Sequence, residues 1–290
     1  MAEIRCDQKI VSGLYVVATP IGNLADISSR ARHVLSNVDM IACEDTRLTA
    51  KLLTAYLIKK PLLPYHEHNG AHQRPKLLAA IAEGKSVALV SDAGTPLISD
   101  PGFKLVAEAQ DAGHFVTSIP GPCAAITALS LAGLPTDRFL FMGFPPVKSQ
   151  ARQTWFTGEE HTPASLVFYE SAKRLPDCLK DAYASLGPRP AAVCRELTKK
   201  FEEVRRGTLE ELSAHYAEAG SPKGEVVVVI GAGEKHKSSG TTEFETEKLL
   251  KVSLEHMSVK SAAAFVAELT GERKKDIYNK ALELTGARDG

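Results

Sequence analysis

Three short loops of small residues and prolines carry the groups best suited to bind a ligand. The longest is Ser91-Asp-Ala-Gly-Thr-Pro96, and the other two begin at Thr19 and at Pro120. Small residues let a ligand approach the backbone closely, and a glycine accepts a positive φ. The loops contain neither a P-loop lysine nor a nucleophile elbow. This set of groups favours a bulky ligand with polar and apolar parts, such as an adenosine-containing cofactor, over a triphosphate.

Each of these loops follows a short apolar run, which is typical of a buried parallel strand. The runs cover residues 13–18, 87–90 and 114–119, and helical patterns separate them. Alternating strands and helices build a parallel sheet, and ligands bind beyond the carboxyl ends of its strands. We therefore predict an α/β domain over residues 11–133 with a ligand site at that edge. A helix capped by Ser99 or Asp100 is expected to follow the longest loop.

Two further polar groups lie on predicted loops. Residues 44–47, Glu-Asp-Thr-Arg, follow a short strand and form either a capping cluster or a substrate-facing loop. Three histidines, His66, His68 and His72, lie close in sequence, but no helix or strand spacing gathers all three. We expect a solvated loop there and no metal site.

The pattern changes after residue 133. Residues 134–233 are predicted to form a second α/β domain, in which residues 226–230 are the strongest strand and residues 198–207 are densely charged. Residues 234–243 have the composition of a linker. Residues 244–290 are predicted to be a small helical domain whose last two helices resemble a helix-turn-helix.

Composition limits the classes of function. Among 290 residues, Lys plus Arg and Asp plus Glu are equal at 35 each, so any nucleic-acid site must be a local patch. The five cysteines form no C-x-x-C pair, which fits a reduced compartment. The sequence has neither a signal-peptide pattern nor a membrane-length apolar run. We expect a cytoplasmic protein without membrane contact.

Several motifs together resemble the tetrapyrrole methylase superfamily. They include Ala18-Thr-Pro-Ile-Gly-Asn-Leu-Ala-Asp26, Cys43-Glu-Asp-Thr-Arg47, residues 91–102, 120–122, 168–171, 195–200 and 224–225. They span residues 14–231 and are specific in combination. The chain departs from the pattern at Cys123, where the family usually has Ser, and at Ala172-Lys173, where it usually has Pro-His or Thr-His.

The resemblance implies a class III methyltransferase with two α/β domains, a cleft between them that binds S-adenosylmethionine, and a small helical C-terminal domain. Within the superfamily, the chain resembles members that methylate a cytidine ribose 2′-hydroxyl in the decoding region of 16S rRNA, a cytidine-1402 type of site. It also implies a homodimer, with 16S rRNA, in the 30S subunit, as partner.

The resemblance and the strand-end loops together predict the site residues. The predicted cofactor contacts are Thr19, Pro20, Gly22, Asn23, Ser91, Asp92, Ala93, Gly94, Pro96, Pro120, Gly121, Tyr169, Gly224, Glu225 and Val226. A ribose hydroxyl is a weak acid, so Glu170 is a candidate base, and Lys199 either a base or an electrostatic partner. Cations that could contact RNA phosphates are Arg47, Arg174, Lys200, Arg205, Arg206, Arg273, Lys274 and Lys275.

Two other functions fit the same residues. One is a methyltransferase of the same fold that acts on a small tetrapyrrole-like substrate. The other is a non-catalytic RNA-binding factor that depends on S-adenosylmethionine. The helical tail either docks RNA or the small ribosomal subunit through its basic corner at Arg273, Lys274 and Lys275, or serves only as a strut.

Overall fold

The computed structural model describes residues 9–233 and 243–286. The chain divides into two compact units, Met1–Ala232 and Gly233–Gly290. The predicted linker at 234–243 lies outside the described residues except at its last position. The predicted division between residues 133 and 134 falls inside the first unit and stays a prediction.

A five-stranded parallel sheet forms the first half of the first unit, as predicted. Its spatial order is β3-β2-β4-β1-β5. All of its pairs are parallel, so the carboxyl ends of the five strands lie at one edge. The strands are β1 Gly13–Val17, β2 Met40–Cys43, β3 Leu62–Pro64, β4 Ser86–Val90 and β5 Val116–Ile119. The helices are α1 Ser29–Asn37, α2 Thr46–Ala55, α3 Gly70–Ala82, α4 Phe103–Asp111 and α5 Ala124–Ala132.

Burial and capping explain these elements. Every residue of β1 and of β4 is buried, as expected for central strands covered by helices on both faces. Ser28 accepts a hydrogen bond from the Ala31 N–H at the start of α1, and Asp45 caps α2 in the same way through the Arg47 N–H.

The predicted cap of α4 was wrong. The helix begins after Gly102, which has a φ of 139° and makes no side-chain cap. Leu97 and Ser99 also have positive φ values, 75° and 64°, so residues 97–102 form an irregular loop rather than a first helical turn. Neither Ser99 nor Asp100 therefore caps the helix.

A second sheet of five strands forms the other half of this unit. Its order is β6-β7-β10-β8-β9, and only the β6–β7 pair is parallel. The strands are β6 Phe139–Phe141, β7 Ser165–Ser171, β8 Pro190–Arg195, β9 Glu203–Thr208 and β10 Glu225–Ile230. The helices are α6 Ser149–Thr157, α7 Leu175–Leu186 and α8 Leu209–Ala219.

The strand β9 lies in the charged segment that the sequence analysis left without a strand. It pairs only with β8 and forms the edge of the sheet, where charged side chains are tolerated and discourage pairing with other chains. On a face of the same sheet, the small residues of α5, such as Ala128 and Ala132, pack against Val167, Ala192 and Val229.

The second unit contains three helices, α9 Glu243–His256, α10 Val259–Thr270 and α11 Lys274–Leu284. Its core consists of Leu250, Ala262, Ala263, Val266, Ile277 and Ala281. Gly271 ends α10 in the left-handed conformation, and Ser258 caps its start. In the described part of the chain, none of the helices combines the length and apolarity that a membrane span requires.

Candidate active site

A cleft of about 530 Å³ lies between the two sheets. On one side are the loops that follow β2 and β4 at the carboxyl edge of the parallel sheet. On the other side, the end of β7 pairs with the start of β10, with Glu225 opposite Ser171. The lining is Ile21, Glu44, Asp92, Ala93, Gly94, Thr95, Ile98, Ser99, Asp100, Ala124, Phe144, Tyr169, Glu170, Ser171, Ala172, Arg174, Cys194, Leu197, Gly224, Glu225, Val226 and Val227.

Backbone and side-chain hydrogen bonds join the three loops predicted from the sequence. The Thr19 N–H donates to the Gly94 carbonyl at 2.8 Å, and the Gly94 N–H donates back to Thr19 at 3.0 Å. The Thr95 hydroxyl donates to the Pro122 carbonyl at 2.9 Å. Gly94 has a φ of 79°, and a Cβ there would lie 3.3 Å from Ile21 Cγ2. The loops therefore form one rigid wall.

The cleft brings together about half of the predicted cofactor residues. Those that line it are Asp92, Ala93, Gly94, Tyr169, Gly224, Glu225 and Val226. Those that do not line it are Thr19, Pro20, Gly22, Asn23, Ser91, Pro96, Pro120 and Gly121. Thr19, Pro20 and Ser91 are buried, and the Asn23 side chain accepts a hydrogen bond from the Ala25 N–H. Thr19, in this second group, still belongs to the wall through its backbone hydrogen bonds to Gly94.

An aromatic cluster forms part of the opposite wall. Tyr169 makes edge-to-face contacts with Phe141 and Phe144, whose ring centroids are 5.0 and 5.5 Å away. The Tyr169 hydroxyl accepts a hydrogen bond from the Ala125 N–H at 3.3 Å. Burial raises the pKa of Tyr169, and the neighbouring Cys123 raises it further, so the phenol stays protonated. This wall suits a flat, partly apolar group.

Three carboxylates from the parallel sheet face the cleft. Asp92 accepts a hydrogen bond from the Asp45 N–H at 2.9 Å. Burial raises the pKa of Glu44, and the charge of Asp92 adds to the effect. Burial also raises the pKa of Asp100 to about 6, against a hydrogen bond from Ser91 and with repulsion from Glu44 and Asp92. Of these, the sequence analysis proposed only Asp92 as a contact, although the strand exit at 44–47 was a usable signal.

Glu170 borders the cleft, but its side chain is fully buried and bound to Arg174. Its Oε1 accepts hydrogen bonds from the Ser171 N–H at 2.6 Å and from Arg174 Nε at 2.8 Å, and Arg174 Nη2 lies 2.6 Å away. The other oxygen, Oε2, is buried without a hydrogen-bond partner. The arrangement orients the Arg174 side chain, which is 27% exposed and lines the cleft.

Lys199 spans the two sides of the cleft without lining it. Its ammonium lies 2.8 Å from Glu196 Oε1 and 2.8 Å from Glu225 Oε2. Its stem packs on Gly22, where a Cβ would lie 2.5 Å from Lys199 Cγ. Burial lowers the pKa of Lys199, but the two carboxylates outweigh that effect and raise it. A lysine held protonated in this way supports an electrostatic role and not that of a base.

The cations predicted to contact RNA lie in different surroundings. Arg174 is in the cleft, Arg47 pairs with Asp45, and Lys200 lies on the exposed ring of Phe201. Arg205 pairs with Glu203, while Arg206 donates to the Gly133 carbonyl and packs on that glycine. The remaining three, Arg273, Lys274 and Lys275, are exposed at the start of α11.

The histidines do not form a metal site. Within residues 9–233 and 243–286, no group of three or more His, Cys, Asp or Glu side chains has a geometry that could hold a metal ion. His66 and His68 contact each other as rings, with centroids 6.1 Å apart.

The chain matches two protein families and several relatives over nearly its whole length. Residues 13–213 match the family Tetrapyrrole (Corrin/Porphyrin) Methylases, and residues 241–285 match the RsmI C-terminal HTH domain. The chain is 48% identical to "Ribosomal RNA small subunit methyltransferase I" of Mesorhizobium japonicum over 96% of this chain and 95% of the relative. It is 46% identical to the protein of the same name from Escherichia coli O157:H7 over 94% of this chain and 96% of the relative.

A solved structure shares the fold over most of this chain at lower identity. The uroporphyrin-III-C-methyltransferase from Thermus thermophilus superposes with a TM-score of 0.55 at 23% identity. The match covers 76% of this chain and 94% of that one.

Proposed function

The chain belongs to the tetrapyrrole methylases and, within them, to the ribosomal RNA small subunit methyltransferase I family, and we propose that it methylates a cytidine ribose 2′-hydroxyl in 16S rRNA with S-adenosylmethionine. The cytidine is of the decoding-region type that the family resemblance implies. The observation that carries the proposal is the cleft itself, which combines a small-residue wall, an aromatic wall and several carboxylates at a sheet edge.

The residues of the cleft fit S-adenosylmethionine. The backbone at Gly94 leaves room that a side chain would reduce, and Tyr169 and Phe144 offer an aromatic surface for an adenine ring. The carboxylates Glu44, Asp92 and Glu225 are suited to cofactor hydroxyls and positive charges. When bound, the cofactor supplies a methyl group already activated on a sulfonium sulfur, so the protein's main task is to position the nucleophile.

Arg174 is the cation best placed to position the RNA. Its guanidinium lines the cleft and is held by Glu170, so we propose that it binds a phosphate next to the target ribose. Lys199 ties the loop after β1 to the start of β10 and keeps the two walls at a fixed distance.

One assay decides among the three functions. We would incubate the protein with labelled S-adenosylmethionine and, in parallel, with 16S rRNA, 30S particles or a tetrapyrrole. Label in a ribose of the RNA supports the proposal, whereas label in the tetrapyrrole supports the small-molecule alternative. Binding of RNA and cofactor without transfer supports the non-catalytic factor. The comparison of rRNA with 30S particles identifies the natural substrate.

The second unit is proposed to dock the RNA or the 30S subunit through Arg273, Lys274 and Lys275. Changing all three to Gln should weaken RNA binding and lower the slope of log affinity against log salt by about two units. S-adenosylmethionine affinity should not change. A triple change of the exposed lysines Lys248, Lys251 and Lys260 to Gln is the matched control. Equal effects of the two triple variants, or none from the first, would contradict docking at the basic corner.

We also propose that the protein is a homodimer. Light scattering at micromolar concentration should give twice the mass of the chain. A monomer mass at that concentration would rule out a stable dimer.

A further inference from the structure

An exposed phenylalanine lies on a loop at the rim of the cleft. Phe201 belongs to the segment between β8 and β9 and is 63% exposed. The same segment reaches the cleft at Leu197, which lines it. Four residues span at most about 14 Å, so the Phe201 backbone lies within that distance of the Leu197 backbone. A large apolar side chain in this position suits a contact with a ligand that extends out of the cleft.

The loop that carries Phe201 is held in one shape. Glu196 and Thr198 have positive φ values of 50° and 66°, which residues with side chains adopt only when the surroundings impose them. The Glu202 carboxylate accepts a hydrogen bond from the Thr198 N–H at 2.6 Å, and the Glu202 N–H donates to the Lys199 carbonyl at 3.1 Å. Because the backbone is already fixed, little conformational entropy is lost at this loop when a ligand binds.

The charge next to Phe201 is positive. Lys200 Nζ lies 5.6 Å from the centroid of the Phe201 ring. Among the residues that the structure describes, Lys200 has no salt bridge, whereas Lys199 and Arg195 are paired with carboxylates. A flat apolar ring beside an ammonium group matches the two parts of an unpaired nucleotide, its base and its phosphate.

We propose that Phe201 stacks on an unpaired base of the RNA substrate, next to the nucleotide in the cleft, while Lys200 contacts the adjoining phosphate. The inference rests on the proposed function and adds a binding residue to it. Transfer to a ribose 2′-hydroxyl requires the target nucleotide to enter the cleft, so its neighbours in the strand must lie at the rim. Stacking on an aromatic side chain replaces part of the stacking that such a neighbour loses.

The test is the affinity of the full-length protein for 16S rRNA and for 30S particles, measured over a series of salt concentrations. Phe201→Ala should lower the affinity about 5- to 50-fold and leave the slope of log affinity against log salt unchanged, because stacking releases no counterions. Lys200→Gln should instead make the slope shallower by about 0.7 units. Phe115→Ala is the matched control and should keep wild-type RNA affinity, since Phe115 is 48% exposed but precedes β5, at the opposite edge of the sheet.

A second variant reports stacking directly. Trp155 is the only tryptophan of the chain, so Phe201→Trp adds one new emission signal. RNA should quench this added emission. The variant should bind RNA within about threefold of wild type, because an indole ring also stacks on bases.

The possible failures are distinguishable. If the wild type transfers no methyl group to RNA, the proposed function is wrong and the role of Phe201 falls with it. If it transfers the methyl group but Phe201→Ala keeps its RNA affinity, or Phe201→Trp shows no added quenching, only the assignment of Phe201 is wrong.

Two further results would overturn the stacking contact. A halved mass of Phe201→Ala in light scattering would show that Phe201 serves a contact between two copies of the chain. Equal losses of RNA affinity and of S-adenosylmethionine affinity, the latter measured by calorimetry, would show that Phe201 supports the cleft itself, since a stacking contact at the rim leaves cofactor binding intact.

Discussion

Gly94→Val is expected to lower S-adenosylmethionine affinity by at least about 100-fold, which corresponds to about 2.7 kcal/mol. Gly94 has a φ of 79°, a conformation in which a β-branched residue is strained. The added Cβ would lie 3.3 Å from Ile21 Cγ2, so the bulkier side chain must push into the cavity or separate the loops at Thr19 and Gly94. Calorimetry with S-adenosylmethionine measures the loss directly.

Gly113→Val is the matched control for backbone strain. Gly113 has a nearly equal φ of 74°, but no atom lies within 4 Å of its added Cβ, and it does not line the cleft. This variant should lose some thermal stability and keep its cofactor affinity. Gly94→Ala should fall between wild type and Gly94→Val. Wild-type affinity in a folded Gly94→Val protein would mean that the cofactor binds elsewhere.

Glu170→Gln and Arg174→Gln are expected to lower kcat/KM for RNA methylation by similar factors, about 10- to 100-fold each. The reason is that Glu170 acts by holding the Arg174 guanidinium, through contacts of 2.6 and 2.8 Å to one oxygen. Because the two side chains work as one unit, the double variant should be little worse than either single variant. A double-mutant cycle on kcat/KM gives the coupling, and calorimetry checks that cofactor affinity is retained.

A pair away from the cleft shows whether any broken ion pair has this effect. Glu108 pairs with Arg74 at 2.7 Å, and neither residue lines the cleft. Glu108→Gln should leave kcat/KM close to wild type. If the losses at Glu170 and Arg174 multiply instead, then Glu170 acts on the substrate itself.

The burial of Glu170 could have been predicted from the alternation of side chains along β7. Side chains in a strand alternate between the two faces of a sheet, so Glu170 shares its face with Leu166 and Phe168. Those two residues belong to the core under α7, and Glu170 is buried beside them. The exit of β7 pointed to the right place in the fold, but the alternation assigns Tyr169, not Glu170, to the face toward α5.

The strand β9 and the start of α4, in contrast, could not be predicted from local sequence patterns. Residues 203–208 have no apolar pattern, and they pair with β8 at a sheet edge, where charged side chains are tolerated. At residues 97–102, the Ser-Asp-Pro order is a good helix start by local rules. Packing of Gly102 on Leu89 and the left-handed conformations of Leu97 and Ser99 prevail over that preference.

The sequence by itself determined the parallel sheet, the order of its strands and helices along the chain, and the strand-end loops that form one wall of the cleft. It could do so because apolar runs, glycines and prolines act on the chain locally, within a few residues. Only the tertiary structure decided which side chains line the cleft and which are buried or held in ion pairs. Glu44, Asp100 and Tyr169 lie far apart in the sequence and line one cavity, and Lys199 pairs with Glu225 from a distant part of the chain. Charge, burial and proton affinity depend on such long-range neighbours, which no local pattern encodes.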